Sequence, residues 1–386
     1  MRALPGSRWI VAIASPASLL IGLTTALFGT CGPFTDVALD VFCPFVLEVF
    51  YTGITTGTTP TTYDPASPVS RLQMAAFLSR TVDGVVRRGS RRTPLNKFWT
   101  QKNVLNPIQT GGGSYLADTD GTDIWVASRD ANWIQRLRAS DGRGLETWTG
   151  ATAANGIVVV DGTVWATGFL SPGRLYGLPS FSDPGGVTTV ATNLGAFPFA
   201  IAYNGARFFT ANSGPPGSVS IIQFVPSLPY PVTTVTTGFI QPAGILYDGS
   251  NMWVTDGTLK KLDLNAAILQ TVTVGDSPFL PAFDGTNIWV PNIGSNSVSV
   301  VRASTGTVLA TLSGNGLNLP AAAIFDGERI LVTNPGAGTV SLWKAASLAE
   351  IGTVLFSFQG VGPYAGCSDG ISFWVTMGAN GFLAQF

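Results

Sequence analysis

The chain repeats one short pattern seven times, and this repetition constrains the fold more than any other feature of the sequence. An Asp-Gly or Asn-Gly pair recurs at intervals of 36 to 44 residues, its first residue being Asp120, Asp161, Asn204, Asp248, Asp284, Asp326 and Asp369. Proline stands six residues before the pair in five copies, at Pro198, Pro242, Pro278, Pro320 and Pro363. A large apolar residue stands five residues after the pair's first member in six copies, as Trp125, Phe209, Trp253, Trp289, Leu331 and Trp374, and Trp165 stands one residue earlier in the second copy. These registers define a repeat of about 42 residues.

Each repeat is predicted to contain four short strands. In the fifth copy these are "LPAFD", "TNIWVPN", "SVSVVRA" and "TVLATL", with an Asp-Gly turn after the first strand and a Ser-Thr-Gly turn after the third. A four-stranded unit of this size cannot bury both of its faces alone, so neighbouring units must pack around a common axis. The sequence therefore predicts an all-β seven-bladed β-propeller, preceded by a small N-terminal α-helical module.

The two ends of the repeat region complement each other. The last copy stops near its third strand, at "GFLAQF", whereas "NVLNPIQTGGG" before the first copy is similar to the fourth-strand segment "TVLATLSGNG". We therefore expect the propeller to span residues 103–386, with residues 103–110 as the closing outer strand of the last blade.

The repeats resemble the YVTN or NHL-like propeller repeats of bacterial surface proteins, in which a Val-Thr-Asn step ends the second strand. The matching segments are "LVTN" at Leu331 to Asn334, together with "WVPN" and "WVTD" in neighbouring copies. This resemblance implies the fold strongly, but it implies no particular activity because propellers host many functions.

Composition excludes several classes of function. With 11% charged residues and a formal net charge of −1, the chain has no bulk field to attract nucleic acid, and nucleic acid is not an expected partner. The chain contains no histidine, the commonest general base and a common metal ligand. The seven-bladed streptogramin lyases are similar in fold, but they are associated with a catalytic histidine, so we expect no enzymatic activity and no cofactor. A carboxylate-based lyase or glycosidase, or a structural subunit of a surface assembly, remains as an alternative.

The N-terminus has the layout of a secretory signal. Arg2 and Arg8 precede an apolar run from Trp9 to Phe28, which predicts a signal peptide over residues 1–30 and export to the cell surface, the periplasm or the medium. An uncleaved membrane anchor is the alternative, because the run approaches the length that spans a bilayer. In an oxidising compartment Cys31 and Cys43 could form a disulfide, and three unpaired cysteines are the other interpretation.

Residues 31–85 are predicted to form two helices joined by a Gly/Pro/Thr-rich loop, with Ser70 capping the second helix. The segments "FTDV", "GITTG", "TYDP" and "VSRLQMAAFLSR" resemble a single S-layer homology (SLH) motif. The resemblance implies binding to cell-wall polymer or peptidoglycan, with Arg71 in the position of the family's contacting arginine. Leu72 and Gln73 depart from the family's Ala-Glu, and one copy is present where three are common, so a purely structural helical cap or oligomerisation element is the alternative. Residues 86–102 are expected to be a basic linker, either a solvated linker or helix end, or a contact to anionic wall polymer or lipid headgroups.

Binding residues are expected in the loops that enter each first strand and in those that join second to third strands, because these loops emerge on one face of a propeller. The polar residues expected at this rim are Arg129, Asp130, Asn132, Asn212, Asp256, Asn292, Asn296 and Asn334. An amide-rich rim suits a glycan, peptide or protein ligand, and a merely hydrated rim is the alternative. The Asp-Gly aspartates are interpreted as turn residues rather than calcium ligands, and the sequence presents no metal cluster.

Overall fold

The computed structural model describes residues 31, 33–37, 40–51, 54–87, 107–160, 162–179, 185–356 and 361–386. The expected signal peptide and most of the expected basic linker lie outside these ranges. The chain divides into two compact units, residues 1–89 and 90–386, which are described separately.

The first unit contains helices α1 (Cys43–Tyr51) and α2 (Arg71–Arg87). Cys31 and Cys43 form a disulfide with their Cα atoms 5.6 Å apart, and Cys31 packs with Phe34, Val37 and Val46 in a small buried core. Within the described ranges, neither helix combines the length and the hydropathy that a membrane-spanning helix requires.

A reciprocal pair of hydrogen bonds begins helix α2. The backbone N–H of Gln73 donates to Oγ of Ser70 at 3.2 Å, and the backbone N–H of Ser70 donates to Oε1 of Gln73 at 2.8 Å. This capping box satisfies two amides that a helix N-terminus leaves unpaired. Ser70 therefore fixes where the helix starts, and Arg71 is its first, exposed residue.

The second unit begins with strand β1 (Ile108–Gln109) and continues as antiparallel four-stranded sheets. Blade 1 comprises β2 (Ser114–Thr119), β3 (Asp123–Ser128), β4 (Trp133–Arg138) and β5 (Gly144–Thr149). Blade 2 comprises β6 (Ala154–Val160), β7 (Thr163–Gly168), β8 (Gly173–Pro179) and β9 (Thr188–Leu194). Blade 3 comprises β10 (Pro198–Tyr203), β11 (Arg207–Asn212), β12 (Ser218–Gln223) and β13 (Val232–Val235). Blade 4 comprises β14 (Ile245–Tyr247), β15 (Met252–Thr255), β16 (Leu259–Leu262) and β17 (Ile268–Val272).

The remaining blades follow the same plan. Blade 5 comprises β18 (Ala282–Phe283), β19 (Asn287–Asn292), β20 (Ser297–Arg302) and β21 (Thr307–Leu312). Blade 6 comprises β22 (Ala323–Phe325), β23 (Arg329–Asn334), β24 (Thr339–Lys344) and β25 (Glu350–Leu355). Blade 7 comprises β26 (Ala365–Ser368), β27 (Phe373–Thr376) and β28 (Phe382–Gln385). The first strands of successive blades contact one another around the axis, and the predicted seven-bladed β-propeller is confirmed.

Both ends of the propeller meet in blade 7. Strand β1 pairs antiparallel with β28, with Ile108 opposite Leu383 and Gln109 opposite Phe382, so the sheet order is β1-β28-β27-β26. Immediately after β1, the hydroxyl of Thr110 donates to the carbonyl oxygen of Gly381 at 2.9 Å. The start of the propeller thus supplies the outermost strand of its last blade and closes the ring.

The turns between first and second strands lie on one face, which we call the turn face, and in blades 1, 4, 5, 6 and 7 the turn aspartate accepts backbone amides in the same geometry. In blade 5, Oδ1 of Asp284 accepts the backbone N–H groups of Thr286 and Asn287, and Oδ2 accepts the indole N–H of Trp289 at 2.8 Å. Trp289 is fully buried, so the carboxylate links the turn to the core between blades. Only the glycine of the pair adopts a positive φ, at Gly285 with 91°. The aspartate therefore acts as an acceptor for turn amides rather than adopting a left-handed conformation itself.

Threonine hydroxyls tie neighbouring blades together on the opposite face, which we call the entry face because chain segments enter the first strands there. The hydroxyl of Thr255 accepts the N–H of Gly244 at 2.8 Å and donates to the carbonyl oxygen of Phe279, in the next blade, at 2.7 Å. Thr333 and Thr376 make the equivalent bonds to the carbonyls of Tyr364 and Tyr115. These bonds fix the backbone of the residues that begin the first strands.

Candidate functional site

The candidate site is built from the residue that follows the proline position of each repeat. This residue is aromatic in blades 1, 3, 5 and 7 and small in blades 2, 4 and 6, in the order Tyr115, Gly156, Phe199, Ala243, Phe279, Ala321 and Tyr364. A Cβ atom at Gly156 would lie 2.9 Å from the carbonyl oxygen of Phe199, so the crowded axis leaves no room for a side chain in blade 2. Alternation of large and small residues is how closed β-structures fill a narrowing interior.

The four aromatic side chains contact one another where the central channel opens on the entry face. Ring centroids are 5.3 Å apart for Phe199 and Phe279, 6.0 Å for Phe279 and Tyr364, and 5.1 Å for Tyr364 and Tyr115. The pairs are tilted or edge-to-face, the arrangements that aromatic quadrupoles favour.

Two residues from loops between second and third strands, Phe169 and Arg129, connect Phe199 to Tyr115 past blade 2, where the repeat position is a glycine. The ring of Phe169 lies 6.1 Å from that of Phe199, and the guanidinium carbon of Arg129 lies 5.0 Å from the Phe169 ring and 4.1 Å from the Tyr115 ring. Arg129 is thus held between two aromatic faces by cation–π contacts. We call the closed set of Tyr115, Arg129, Phe169, Phe199, Phe279 and Tyr364 the mouth ring.

Arg129 supplies the positive charge of the mouth ring. Its Nε lies 3.8 Å from Oδ1 of Asp130, whose side chain is 62% exposed, and within the described part of the chain its guanidinium makes no hydrogen bond. Burial raises the pKa of the Tyr364 hydroxyl, the neighbouring Tyr115 raises it further, and the Arg129 charge opposes both effects. Tyr364 therefore stays neutral, and among the described residues no group uses the N–H donors of Arg129.

A cavity of about 430 Å³ adjoins the mouth ring on the side of blades 3 to 5. Its apolar walls are Phe169, Phe199, Ile240, Pro278, Phe279 and Ile293. Ile240 is 80% exposed, although the backbone of its loop is hydrogen-bonded to a buried side chain. The carboxylate of Asp256 accepts the backbone N–H groups of Ile240 and Gln241, at 3.0 and 2.6 Å, and binds Nζ of Lys260 at 2.6 Å. A buried ion pair therefore presents an apolar side chain to solvent at the cavity edge.

Backbone strain accompanies these exposed apolar groups. Phe197, Ser277 and Leu319 each precede a proline on the entry face with φ of 54°, 53° and 50°. Left-handed backbone is uncommon for residues other than Gly, Asn and Asp and is retained mainly where function depends on it. Phe197 and Leu319 are 37% and 45% exposed, so two strained positions present apolar side chains outward.

Three of the predicted rim residues do not lie on the rim, and this part of the expectation is corrected. Asn212, Asn292 and Asn334 are fully buried, and Nδ2 of Asn292 donates to the hydroxyls of Ser297 and Ser299 at 3.1 Å each. Asn212 and Asn334 make the equivalent pairs of bonds to hydroxyls of the following strand. The Asn of the Val-Thr-Asn step turns into its own blade because the next strand offers two hydroxyls there.

The other predicted rim residues are divided between structural contacts and the mouth. Oδ1 of Asn132 accepts the N–H of Ala153 at 2.8 Å, and Oδ1 of Asn296 accepts the N–H of Leu319 at 2.7 Å, so both link neighbouring blades. Asp256 is buried with Lys260, as described above. Arg129 alone belongs to the mouth ring, with Asp130 beside it. Within the described ranges, no three His, Cys, Asp or Glu side chains lie close enough together to hold a metal ion.

The aromatic members of the mouth ring were not among the residues that sequence reasoning selected. Their signal is present in the repeat alignment, as the alternation of aromatic and small residues directly after the proline position. Phe169 and Arg129 have no equivalent signal, because they lie in loops that differ from copy to copy.

Comparison with known proteins identifies the fold. No protein-family model matches the chain, and no curated protein matches it. Among solved structures, selenomethionine-substituted virginiamycin B lyase from Staphylococcus aureus superposes with a TM-score of 0.59 at 14% identity, covering 72% of this chain and 97% of the lyase. A catalytically inactive variant of that lyase, with a histidine replaced by alanine and with quinupristin, gives a TM-score of 0.60 at 15% identity over 72% and 97% of the two chains. The WD40 β-propeller domain of Doa1 gives 0.57 at 12% identity over 73% and 95%.

Proposed function

We propose that this protein is an exported, noncatalytic, cell-envelope-associated β-propeller whose mouth ring binds a peptide or a segment of a protein. The observation that carries the proposal is the rigid apolar mouth, with Phe169, Phe199 and Phe279 lining a cavity and Ile240 exposed at its edge. Concave apolar sites with a few placed polar groups are the usual form of a binding site. An exposed isoleucine on a loop held by a buried ion pair fits an interface anchor.

Peptide binding is favoured over glycan binding because the asparagine side chains expected at the rim are either buried or bonded to backbone amides. Asn212, Asn292 and Asn334 are buried, and the side-chain oxygens of Asn132 and Asn296 accept backbone amides. A glycan needs many free donors and acceptors, whereas a peptide can place apolar side chains in the cavity.

Binding is also favoured over catalysis. The lyase variant described as catalytically inactive differs by a histidine, and this chain contains no histidine. The Asp256 carboxylate is engaged by Lys260 and two backbone amides, so it is poorly placed to act as a general base.

Selection from a synthetic hexapeptide library with free termini tests the binding proposal. The intact protein is immobilised beside an Ile240→Asp variant, which places a charge at the cavity edge without touching the core. We expect the intact protein to enrich peptides with apolar residues and the variant to lose this enrichment. Equal recovery on both proteins, or no enrichment of any peptide on the intact protein, would contradict the proposal.

The N-terminal module is proposed to hold the protein at the cell wall. The supporting observations are the apolar N-terminal run, the Cys31–Cys43 disulfide typical of oxidising compartments, and exposed Arg71 at the start of α2. We expect the protein to sediment with purified peptidoglycan and Arg71→Ala to reduce the sedimented fraction, while Arg138→Ala on the propeller leaves it unchanged. Absence of sedimentation by the intact protein removes the anchoring proposal without affecting the binding one.

A further inference from the structure

We propose that the peptide bound at the mouth ring ends there, with its C-terminal carboxylate on Arg129 and its last side chain, an apolar one, in the adjoining cavity. This inference rests on the proposed peptide-binding function and specifies which end of the peptide is recognised.

The first argument is the state of the Arg129 guanidinium. The guanidinium carbon lies over the rings of Tyr115 and Phe169, 4.1 and 5.0 Å from their centroids, and these contacts hold the group without using its N–H donors in hydrogen bonds. Its side chain is 23% exposed, and within the described residues it makes no hydrogen bond. A planar guanidinium whose in-plane N–H groups are available can bind a carboxylate through two parallel hydrogen bonds, the bidentate arrangement.

The second argument is that the charge site and the apolar site share one side chain. Phe169 stacks on the Arg129 guanidinium and also forms a wall of the 430 Å³ cavity beside Phe199. One ring therefore separates the position of a bound carboxylate from that of an apolar side chain. In a C-terminal residue both groups leave the same Cα, whereas an internal Asp or Glu carries its charge at the end of its own side chain and must take the apolar group from a neighbouring residue.

The surrounding charges permit an anion at this position. Asp256 is neutralised by Lys260 at 2.6 Å and is buried, so it presents little repulsion. The carboxylate near Arg129 is that of Asp130, which is mostly exposed and lies 3.8 Å from Nε, too far for a hydrogen bond. A ligand carboxylate can therefore bind the free donors in preference to this loose ion pair.

Calorimetric titration of the intact protein with matched peptides tests the inference. The probes are acetyl-Gly-Gly-Phe and acetyl-Gly-Gly-Leu, each as the free acid and as the C-terminal amide, together with acetyl-Gly-Glu-Phe amide as an internal acid. We expect each free acid to bind at least about tenfold more tightly than its amide and than the internal acid, in line with the strength of charge-assisted hydrogen bonds. Arg129→Gln should remove this preference, Arg129→Lys should retain part of it, and Arg138→Gln should leave it unchanged.

Each alternative outcome is decisive. Equal binding of acids and amides, with both abolished by Ile240→Asp, overturns the carboxylate inference and leaves the proposed peptide-binding function standing. Binding of the internal acid as tightly as the free acids overturns recognition of the terminus. Absence of binding by every probe overturns the inference, while the library selection separately decides the proposed function. If Arg129→Gln fails to fold, the comparison of acid and amide on the intact protein and on Arg129→Lys still decides.

Discussion

The indole Nε1 of Trp253 donates a hydrogen bond to Oδ2 of Asp248, five residues earlier, at 2.7 Å. The same bond recurs in blades 1, 5 and 7. Blades 3 and 6 lack it because one or both of the bonding residues are replaced. In blade 3 the pair is Asn204 and Phe209, in which both the second carboxylate oxygen and the indole donor are absent. In blade 6, where Leu331 replaces tryptophan, Oδ2 of Asp326 accepts from Nε of Arg329 at 2.8 Å instead. In blades 1, 4, 5 and 7 the aspartate therefore supplies the acceptor that the buried indole donor requires.

This coupling predicts the result of a double-mutant cycle. Asp248→Asn should lower the free energy of unfolding by about 1–3 kcal/mol, because the buried indole N–H of Trp253 loses its acceptor. In the Trp253→Phe background the same change should cost less, which gives a coupling energy of about 1–2 kcal/mol in urea denaturation. Asn204→Asp in blade 3 is the control and should not raise stability, since no indole is available there. Additive effects of the two changes in blade 4 would contradict the account.

A half-buried carboxyl, that of Asp118, predicts a pH-dependent stability. Asp118 accepts the backbone N–H of Val159 at 2.8 Å, and burial, reinforced by the charge of Asp120 and opposed by hydrogen bonds from Val159 and Thr119, raises its pKa to about 6. Because the folded-state pKa exceeds that of the unfolded chain, the contribution of this group is fully present below about pH 4 and is lost as pH rises through 6.

Asp118→Asn should remove this dependence while keeping an oxygen acceptor for Val159. The difference in free energy of unfolding between the variant and the natural protein should shift in favour of the variant by at most about 3 kcal/mol from pH 4 to pH 7.5. Urea denaturation of both proteins at both pH values measures this shift. The nearby thiol of Cys367 stays protonated over this pH range because burial raises its pKa well above the ordinary value, so it adds no negative charge beside Asp118. A constant difference between the two proteins at both pH values would refute the assignment.

Ring closure depends on a strand of two residues. The side chain of Ile108 packs with Leu137, Trp374 and Leu383, whereas Gln109 is exposed. Ile108→Asp should lower the free energy of unfolding by about 2–4 kcal/mol, because it places a charge in this cluster and removes an apolar side chain. Gln109→Asp adds the same charge to the same strand and should cost less than about 1 kcal/mol. Equal effects on thermal unfolding would mean that β1 does not hold the ring shut.

Two alanines at the same repeat position, Ala243 and Ala321, predict that ligand affinity and stability can be changed independently. Ala243 lines the cavity, so Ala243→Phe should fill it, change stability by less than about 2 kcal/mol and abolish binding of the selected peptides. Ala321 occupies the same repeat position in blade 6 but is fully packed and lies away from the cavity. Ala321→Phe should therefore destabilise by about 1–3 kcal/mol and leave peptide affinity unchanged. The reverse pattern would place the binding site elsewhere.

The fold could be predicted from the sequence because its determinants are local and repeated. Proline, the Asp-Gly turn and the large apolar residue stand at nearly the same register in most copies, so the repeat is visible in the sequence alone. The incomplete last repeat and the strand-like segment before the first repeat likewise predict that residues before Ser114 complete the last blade, and Ile108 and Gln109 lie there.

The site was harder to predict because polarity along a sequence does not reveal which way a side chain turns. Asn292 ends a strand at a loop and reads as exposed, yet the hydroxyls of Ser297 and Ser299 draw it inward. The spacing of hydroxyl residues after Asn292 and Asn334 is a signal that could have indicated this. Arg129 is predicted at the rim because it is polar and lies in an irregular loop, but its contacts with Tyr115 and Phe169 join blades 1 and 2 in a way that no repeat pattern encodes.

The central claim, that ligand binds at the mouth ring on the entry face, is tested most directly by hydrogen–deuterium exchange with and without a peptide recovered from the library. The account predicts slower exchange in residues 167–171, 238–243 and 277–281, which surround the cavity, and unchanged exchange in the turns near Asp248 and Asp284. Protection confined to the turn face, or to residues 40–80 of the helical module, would contradict it.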